Sequence, residues 1–316
     1  MQSNKKKLVL GTRGSKLALV QAGLVEDLIR KSFPEIQLER KIIQTSGDRF
    51  QKEKLADVGG KGLFVKEIEE ALLSHHIDFA VHSLKDVPGI LPKGLVLAAF
   101  LKRGDPRDVW VSKNGESWEV LPKGSVVGTS SPRREVQLRS MQKDWELKAL
   151  RGNVETRLRK LETGEYDAIV LAAAGLHRLN LSRYCRHYFS TDLLLPAVGQ
   201  GIVVIETRKE EFIIDLLREA CGDAETTFCA KAERAFLATM GGDCHTPLAG
   251  HATLQGEQIQ LKGWLALPEG PQMVSDEIIG SRKEAFDLGR KLAERMLEGG
   301  GKEIIIKIRK LKLDRI

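Results

Sequence analysis

The order of its periodic segments constrains this chain more than any other feature. "KLVLGT" (7–12) reads as a short strand, and "SKLALVQAGLVEDLIRKS" (15–32) then repeats apolar residues at helical spacing, with Ser15 placed as N-cap. "EIQLERKIIQ" (35–44) alternates like a strand, "KGLFVKEIEEALLS" (61–74) is a second amphipathic helix, and "DFAVHS" (78–83) is another strand. This β-α-β-α-β order predicts an α/β layer architecture with mainly parallel strands. It restarts after "RGDPRDVWVS" (103–112): residues 124–141 run strand, turn, helix, and 146–176 run strand, helix, strand. Two successive α/β units predict two lobes with a cleft between them.

The third part differs. "AETTFCAKAERAFLATM" (224–240) is a helix ending at Gly241-Gly242, followed by alternating segments at 250–267, with a turn near Gly256, and at 272–280. A helix over 282–298 and the apolar run "KEIIIKI" (302–308) follow. Strands beside one another and then a helix fit a small α+β domain. A chain of 316 residues is long enough for two or three such cores.

Composition narrows the function classes. Hydrophobic content of 42% and charged content of 29% are those of a soluble globular protein. The apolar run in "MQSNKKKLVLGTRGS" is too short for a secretory signal, and "AIVLAAAGL" (168–176) is too short to span a bilayer, so a cytoplasmic protein is expected. The four cysteines, Cys185, Cys221, Cys229 and Cys244, form no CxxC pair and no zinc-site spacing, so thiols and no metal are expected. A net charge of +7 suggests an anionic partner, although solubility alone would also account for it.

"VGTSSPRRE" (127–135) is the strongest local signal. A strand ends, Thr129, Ser130 and Ser131 form a turn, and Arg133 and Arg134 fall in the first helical turn. One serine is accounted for as an N-cap. Two cations at the positive end of a helix dipole are not, unless an anion sits there. Arg151 and Arg157 in "LRGNVETRL" and Arg13 in "GTRGSKLA" repeat the arrangement. Ligands of open α/β sheets bind beyond the carboxyl ends of strands, so these arginines could converge on one cleft. Arg159 and Lys160 read as a solvated helix face.

Asp86, in "FAVHSLKDVPGILP" (79–92) with His82, Ser83 and Lys85, reads on pattern alone as a turn Asp before Val87-Pro88. Lys61 in "VGGKGLFVKE" lacks the GxxxxGK[ST] spacing of a nucleotide site. Residues 130–160 hold six Arg but only one aromatic, Trp145, which argues against single-stranded nucleic acid. No basic amphipathic helix carries the aromatics of a membrane-surface binder. A small polycarboxylate or phosphate ligand remains. "MGGDCHTPLAG" (240–250) presents Cys244 on a glycine-rich turn, unlike a buried structural thiol.

"TRGSKLAL", "VGGKGLFVKE", "AVHSLKDVP", "DPRD", "VGTSSPRR", "LRGNVETRL", "YDAIVLAAAGL", "LPAVGQG", "AERAF" and "GGDCHTPLAG", in that order, resemble the porphobilinogen deaminases, or hydroxymethylbilane synthases. The resemblance covers almost the whole chain. It implies two periplasmic-binding-protein-like lobes and a smaller C-terminal domain. Domain 1 would take residues 1–101 with 202–219, domain 2 residues 102–201, and domain 3 residues 220–316. It implies joining of four porphobilinogen molecules head to tail, with release of ammonia, on a dipyrromethane cofactor. That cofactor is held by thioether linkage to Cys244, and water then frees hydroxymethylbilane.

The carboxylates of the growing pyrrole chain would explain the arginines. The resemblance makes Asp86 the catalytic aspartate. Ser83, Lys85, Thr129, Ser130, Ser131, Arg133 and Arg134 would lie around the cofactor. Arg13, Ser15, Lys61, Phe64, Arg151 and Arg157 would serve the substrate, with Lys61 and Phe64 on a loop over the site. Partners would be porphobilinogen and its growing chain, with no nucleic acid, no membrane and a monomeric protein. Pro132 stands where Leu is frequent, and His245-Thr246 follow the cysteine where other residues occur. Cys185, Cys221 and Cys229 have no matching role. A two-lobed anion-binding protein without chemistry and a basic nucleic-acid-binding protein are the competing classes. The first has no use for Cys244 on a third domain, and the second predicts a steep salt dependence of DNA or RNA affinity.

Overall fold

A computed structural model describes residues 7–49, 65–141, 143–242 and 246–313. It divides into two compact units, Met1–Gly104 with Ile202–Ala230, and Asp105–Gly201 with Lys231–Ile316.

The first unit opens with β1 (Lys7–Thr12), α1 (Lys16–Ser32), β2 (Gln37–Ile42) and a short α2 (Ser46–Arg49). It continues with α3 (Lys66–Leu73), β3 (Phe79–Ser83) and β4 (Leu95–Phe100). In the second unit come β5 (Asp108–Ser112), β6 (Val126–Gly128), α4 (Pro132–Ser140), β7 (Glu146–Lys148) and α5 (Val154–Glu162). These are followed by β8 (Ala168–Ala172), α6 (Ala173–Arg178) and β9 (His187–Tyr188). The chain then returns to the first unit as β10 (Val203–Arg208) and α7 (Glu211–Cys221).

The first sheet has the order β2-β1-β3-β10-β4. Strands β1, β2 and β3 are parallel, as the strand–helix alternation predicts, but β10 runs antiparallel to both of its neighbours. The sheet is therefore mixed rather than mainly parallel. Helix α1 buries Ala18, Ala22, Val25 and Ile29 along one stripe. That stripe and α7 cover Leu8, Leu10, Phe79, Val81, Val203 and Ile205. The opposite sheet face packs Ala80 and Leu95 against Ile68 and Leu72 of α3. Each such buried Val, Leu, Ile or Phe side chain contributes about 1.5–3 kcal/mol.

Three titratable side chains share that second face. Glu206 of β10 is fully buried, and His82 Nε2 lies 3.2 Å from its Oε2. Glu69 of α3 is buried beside them. Burial and the neighbouring Glu206 raise its carboxyl to about 7. Neither oxygen of Glu206 has a hydrogen-bond partner among the described residues.

The second five-stranded sheet has the order β7-β6-β8-β5-β9, with β6, β7 and β8 parallel and β5 antiparallel to both of its neighbours, β8 and β9. Alternation sends Val109, Val111, Ile169 and Leu171 toward α5 and Trp110, Val127 and Val170 toward Leu138 of α4. The last part follows α8 (Ala224–Met240): β11 (Leu248–Gln255), β12 (Gln258–Ala266) and β13 (Met273–Ser281) form an antiparallel meander. Helix α9 (Ala285–Met296) packs on it. A Cβ at Gly289 would meet Ala232 O of α8 at 2.1 Å, so only glycine allows the two helices to approach this closely. The run at 302–308 lies in a helix, α10 (Lys302–Leu313).

Candidate functional site

In each five-stranded sheet the polar residues singled out in the sequence gather at the carboxyl ends of the parallel strands. In the first sheet β1 and β3 are parallel neighbours, so Arg13, just beyond β1, and the turn beyond β3 lie at one edge. Ser15 caps α1, its Oγ accepting from Ala18 N at 3.3 Å. Ser83 ends β3, and its Oγ accepts from Gln21 Nε2 at 2.9 Å.

A single 3₁₀ turn, Leu84–Asp86, follows. Leu84 and Val87 on either side are buried with Phe100, Ile202 and Val204. Leu84 N donates to Ile202 O at 3.0 Å, and Val87 N to Leu84 O at 3.1 Å. Lys85 and Asp86 are thus held outward and exposed by a turn fixed at both ends. An Asp in a turn before proline would need only the backbone geometry; a solvent-facing carboxylate on so rigid a support is suited to meet a ligand.

In the second sheet the edge is richer. Thr129 and Ser130 follow β6, Ser131 caps α4 by accepting from Arg134 N at 3.4 Å, and Pro132 opens the helix. Ser130 Oγ donates to Leu150 O at 2.8 Å and so ties this turn to the end of β7, where Arg151 stands. Arg157 on α5 donates from Nε to Gly152 O at 2.7 Å.

Arg133 and Arg134 are not solvent-facing. Both are buried, and the anion their position demands is a side chain of this protein, Asp108. Strand β5 runs antiparallel to β8, which brings its first residue, Asp108, opposite Ala172 at this same edge. Asp108 Oδ2 lies 2.7 Å from Arg133 Nη2, and Oδ1 accepts from Arg134 Nη2 at 2.6 Å and Nε at 3.0 Å. The two Nη1 atoms donate to carbonyls: Arg133 Nη1 to Leu195 O at 2.7 Å and Arg134 Nη1 to Val170 O at 2.9 Å. Gln200 Nε2 donates to Asp108 Oδ1 at 3.0 Å. Burial raises the Asp108 carboxyl, but the two guanidiniums outweigh it and hold it at about 2. Two cations and one anion leave a buried net charge of +1, and Arg133 Nε is buried without a hydrogen-bond partner among the described residues.

Sequence reasoning did not single out Asp108, although it is the last residue of the quoted "DPRD", nor Gln200 in "LPAVGQG". It also passed over Arg178. This residue donates from Nη2 to Gly201 O at 2.6 Å, and burial lowers its guanidinium to about 10 with no carboxylate pairing among the described residues. Lys61, Phe64 and Cys244 lie outside the described residues. Cys221 and Cys229 are buried and Cys185 is half-buried; burial pushes the Cys221 thiol up to about 12, which makes it a poor nucleophile. No group of metal-binding side chains occurs among the described residues, and no helix among them is long and apolar enough to cross a membrane.

Comparison with known proteins matches two family models. Residues 8–215 match "Porphobilinogen deaminase, dipyromethane cofactor binding domain", and residues 227–298 match "Porphobilinogen deaminase, C-terminal domain". The chain is 47% identical over 297 residues to the porphobilinogen deaminase of Nitrobacter hamburgensis, covering 93% of this chain and 94% of the relative. It is 44% identical over 304 residues to that of Helicobacter acinonychis, covering 96% and 98%. Among solved structures, substrate-binding domain 2 of Lactococcus lactis GlnP aligns over 69% of this chain and 88% of its own, at 12% identity and a TM-score of 0.41.

Proposed function

This chain belongs to the porphobilinogen deaminase family, and we infer that it performs the family reaction. Four porphobilinogen molecules are condensed head to tail onto a dipyrromethane primer, ammonia leaves at each step, and hydrolysis yields hydroxymethylbilane for tetrapyrrole biosynthesis. The enzyme is a transferase.

The residues present fit such a primer. Two buried guanidiniums share one protein carboxylate, and the spare positive charge and the orphaned Arg133 Nε call for a further carboxylate. Arg133, Arg134 and the hydroxyls of Thr129, Ser130 and Ser131 would hold it, Ser83 and Lys85 would lie beside it, and Cys244 would anchor it by a thioether. When bound, the primer supplies the pyrrole carbon from which the chain grows.

The observation that carries the catalytic reading is the fixed, exposed Asp86 turn beyond β3. As ammonia leaves porphobilinogen, positive charge develops and is shared with the pyrrole nitrogen. A carboxylate aimed at that N–H stabilises the charge without reorganising, and can also accept a proton. We assign this role to Asp86. Arg13, Ser15, Arg151 and Arg157, with Lys61 and Phe64, would bind the carboxylates of the incoming substrate and the elongating chain.

Separate sheets support reading the chain as three domains, 1–101 with 202–219, 102–201 and 220–316. We further propose a monomeric, cytoplasmic enzyme. The test is consumption of porphobilinogen by the purified protein with release of one ammonia per substrate. Binding of porphobilinogen without ammonia release would favour the anion-binding alternative.

A further inference from the structure

We propose that Asp108 is a positioning residue for cofactor loading: it holds Arg133 and Arg134 in the arrangement that receives a carboxylate of the primer. The proposal rests on the reading that these two arginines take the primer.

Two adjacent guanidiniums repel each other, and repulsion is strong where water is excluded. Without an anion between them the side chains would turn apart toward separate carbonyls. Asp108 prevents this by presenting one oxygen to each: Oδ2 to Arg133 Nη2 at 2.7 Å, and Oδ1 to Arg134 Nη2 at 2.6 Å. The carboxylate is itself held, because it begins β5 and Gln200 Nε2 donates to Oδ1 at 3.0 Å. Gln200 Nε2 also donates to Pro106 O at 2.6 Å, which fixes the chain just before β5.

The two arginines are not equivalent in this frame. Arg134 has Nε, Nη1 and Nη2 all engaged, two of them by Asp108. Arg133 spends Nη1 on Leu195 O and Nη2 on Asp108, and its buried Nε has no hydrogen-bond partner among the described residues. The cluster therefore balances one guanidinium and leaves the other's charge for a ligand. The chemistry that satisfies a single surplus cation and a fixed N–H donor is one carboxylate oxygen. Displacing an oriented guanidinium by about 1 Å is enough to slow a reaction that depends on it by an order of magnitude or more.

The experiment follows loading itself. Full-length protein prepared without primer is incubated with porphobilinogen, and intact mass is recorded against time for the native chain, Asp108→Asn, Arg133→Gln and the double variant Asp108→Asn/Arg134→Gln. The double variant removes one cation and one anion, so the cluster keeps its net charge and its melting temperature stays nearer to native than that of Asp108→Asn. Both Asp108 variants are expected to load at least about tenfold more slowly than the native chain. Should Asp108→Asn fail to fold, the double variant is read against Arg134→Gln alone, and equal loading rates of those two would overturn the proposal. Native-rate loading by the double variant would overturn the proposal, because Asp108 would then serve only to balance Arg134. If Arg133→Gln loads slowly while Asp108→Asn loads normally, the positioning role alone fails. If Arg133→Gln itself loads at the native rate, the reading of the arginines fails with it.

Discussion

Replacing Glu69 with glutamine should make the protein's stability less dependent on pH, in a direction opposite to ordinary acid denaturation. Glu69 is buried against Glu206 and His82, and its carboxyl stands at about 7 rather than 4.5. Burial is the larger cause, and the facing carboxylate of Glu206 is the second. The folded state therefore keeps a proton that the unfolded chain loses above its ordinary value. Between 4.5 and about 7 the native state binds more protons, so this group's contribution to stability falls as pH rises and is fully lost above about 7. The full shift corresponds to about 3 kcal/mol; dielectric screening reduces the expected effect to about 1–2 kcal/mol. Glutamine is isosteric and cannot ionise. Urea denaturation followed by far-ultraviolet circular dichroism, at steps from about pH 4.5 to about pH 8, gives both curves, and their difference cancels the titrating groups outside the Glu69, Glu206 and His82 cluster. The variant should gain about 1–2 kcal/mol on the native protein across that window. Parallel curves would mean that Glu69 ionises normally in the folded state and that the buried cluster is misread.

Asp86→Asn should fold as the native protein does, since Asp86 is exposed, and lose roughly 10²–10³-fold in turnover, the usual loss for one preorganised charge-stabilising group; near-normal porphobilinogen consumption would refute its role. Arg133→Leu should yield protein deficient in primer, whereas Arg13→Leu should carry primer and fail to extend it. Intact masses before and after substrate separate the two, and a fully loaded Arg133→Leu with normal extension by Arg13→Leu would end that division of tasks. Serine at Cys221 should leave turnover within about twofold of native, because a buried thiol held near 12 takes no part in the chemistry.

Where a feature depends on neighbours in sequence, it was legible. The strand at 7–12, the Ser15 cap and the strand–turn–helix around Ser131 all follow from spacing within one or two turns. Strand β10 was not found by periodicity. Its residues are buried throughout, so the two-residue alternation vanishes, and its partners β3 and β4 lie more than a hundred positions earlier. Only the family resemblance implied a return segment there. The Asp108 cluster escaped for a related reason: the first-turn arginines announced a missing anion, but its identity depended on an antiparallel pairing of β5 with β8 that local pattern does not encode. At 302–308 an apolar run without alternation lies in a helix.

The central claim is that this chain builds its product on a primer carried by one cysteine, and peptide mapping of active enzyme tests it most directly. A pyrrole adduct should be found on the peptide containing Cys244 and on no other. It should be absent from Cys244→Ser, which should be inactive and less heat-stable, and it should persist when Cys185, Cys221 or Cys229 is changed to serine. An unmodified Cys244 in turning-over enzyme, or an adduct on one of the other three, would contradict the proposed function.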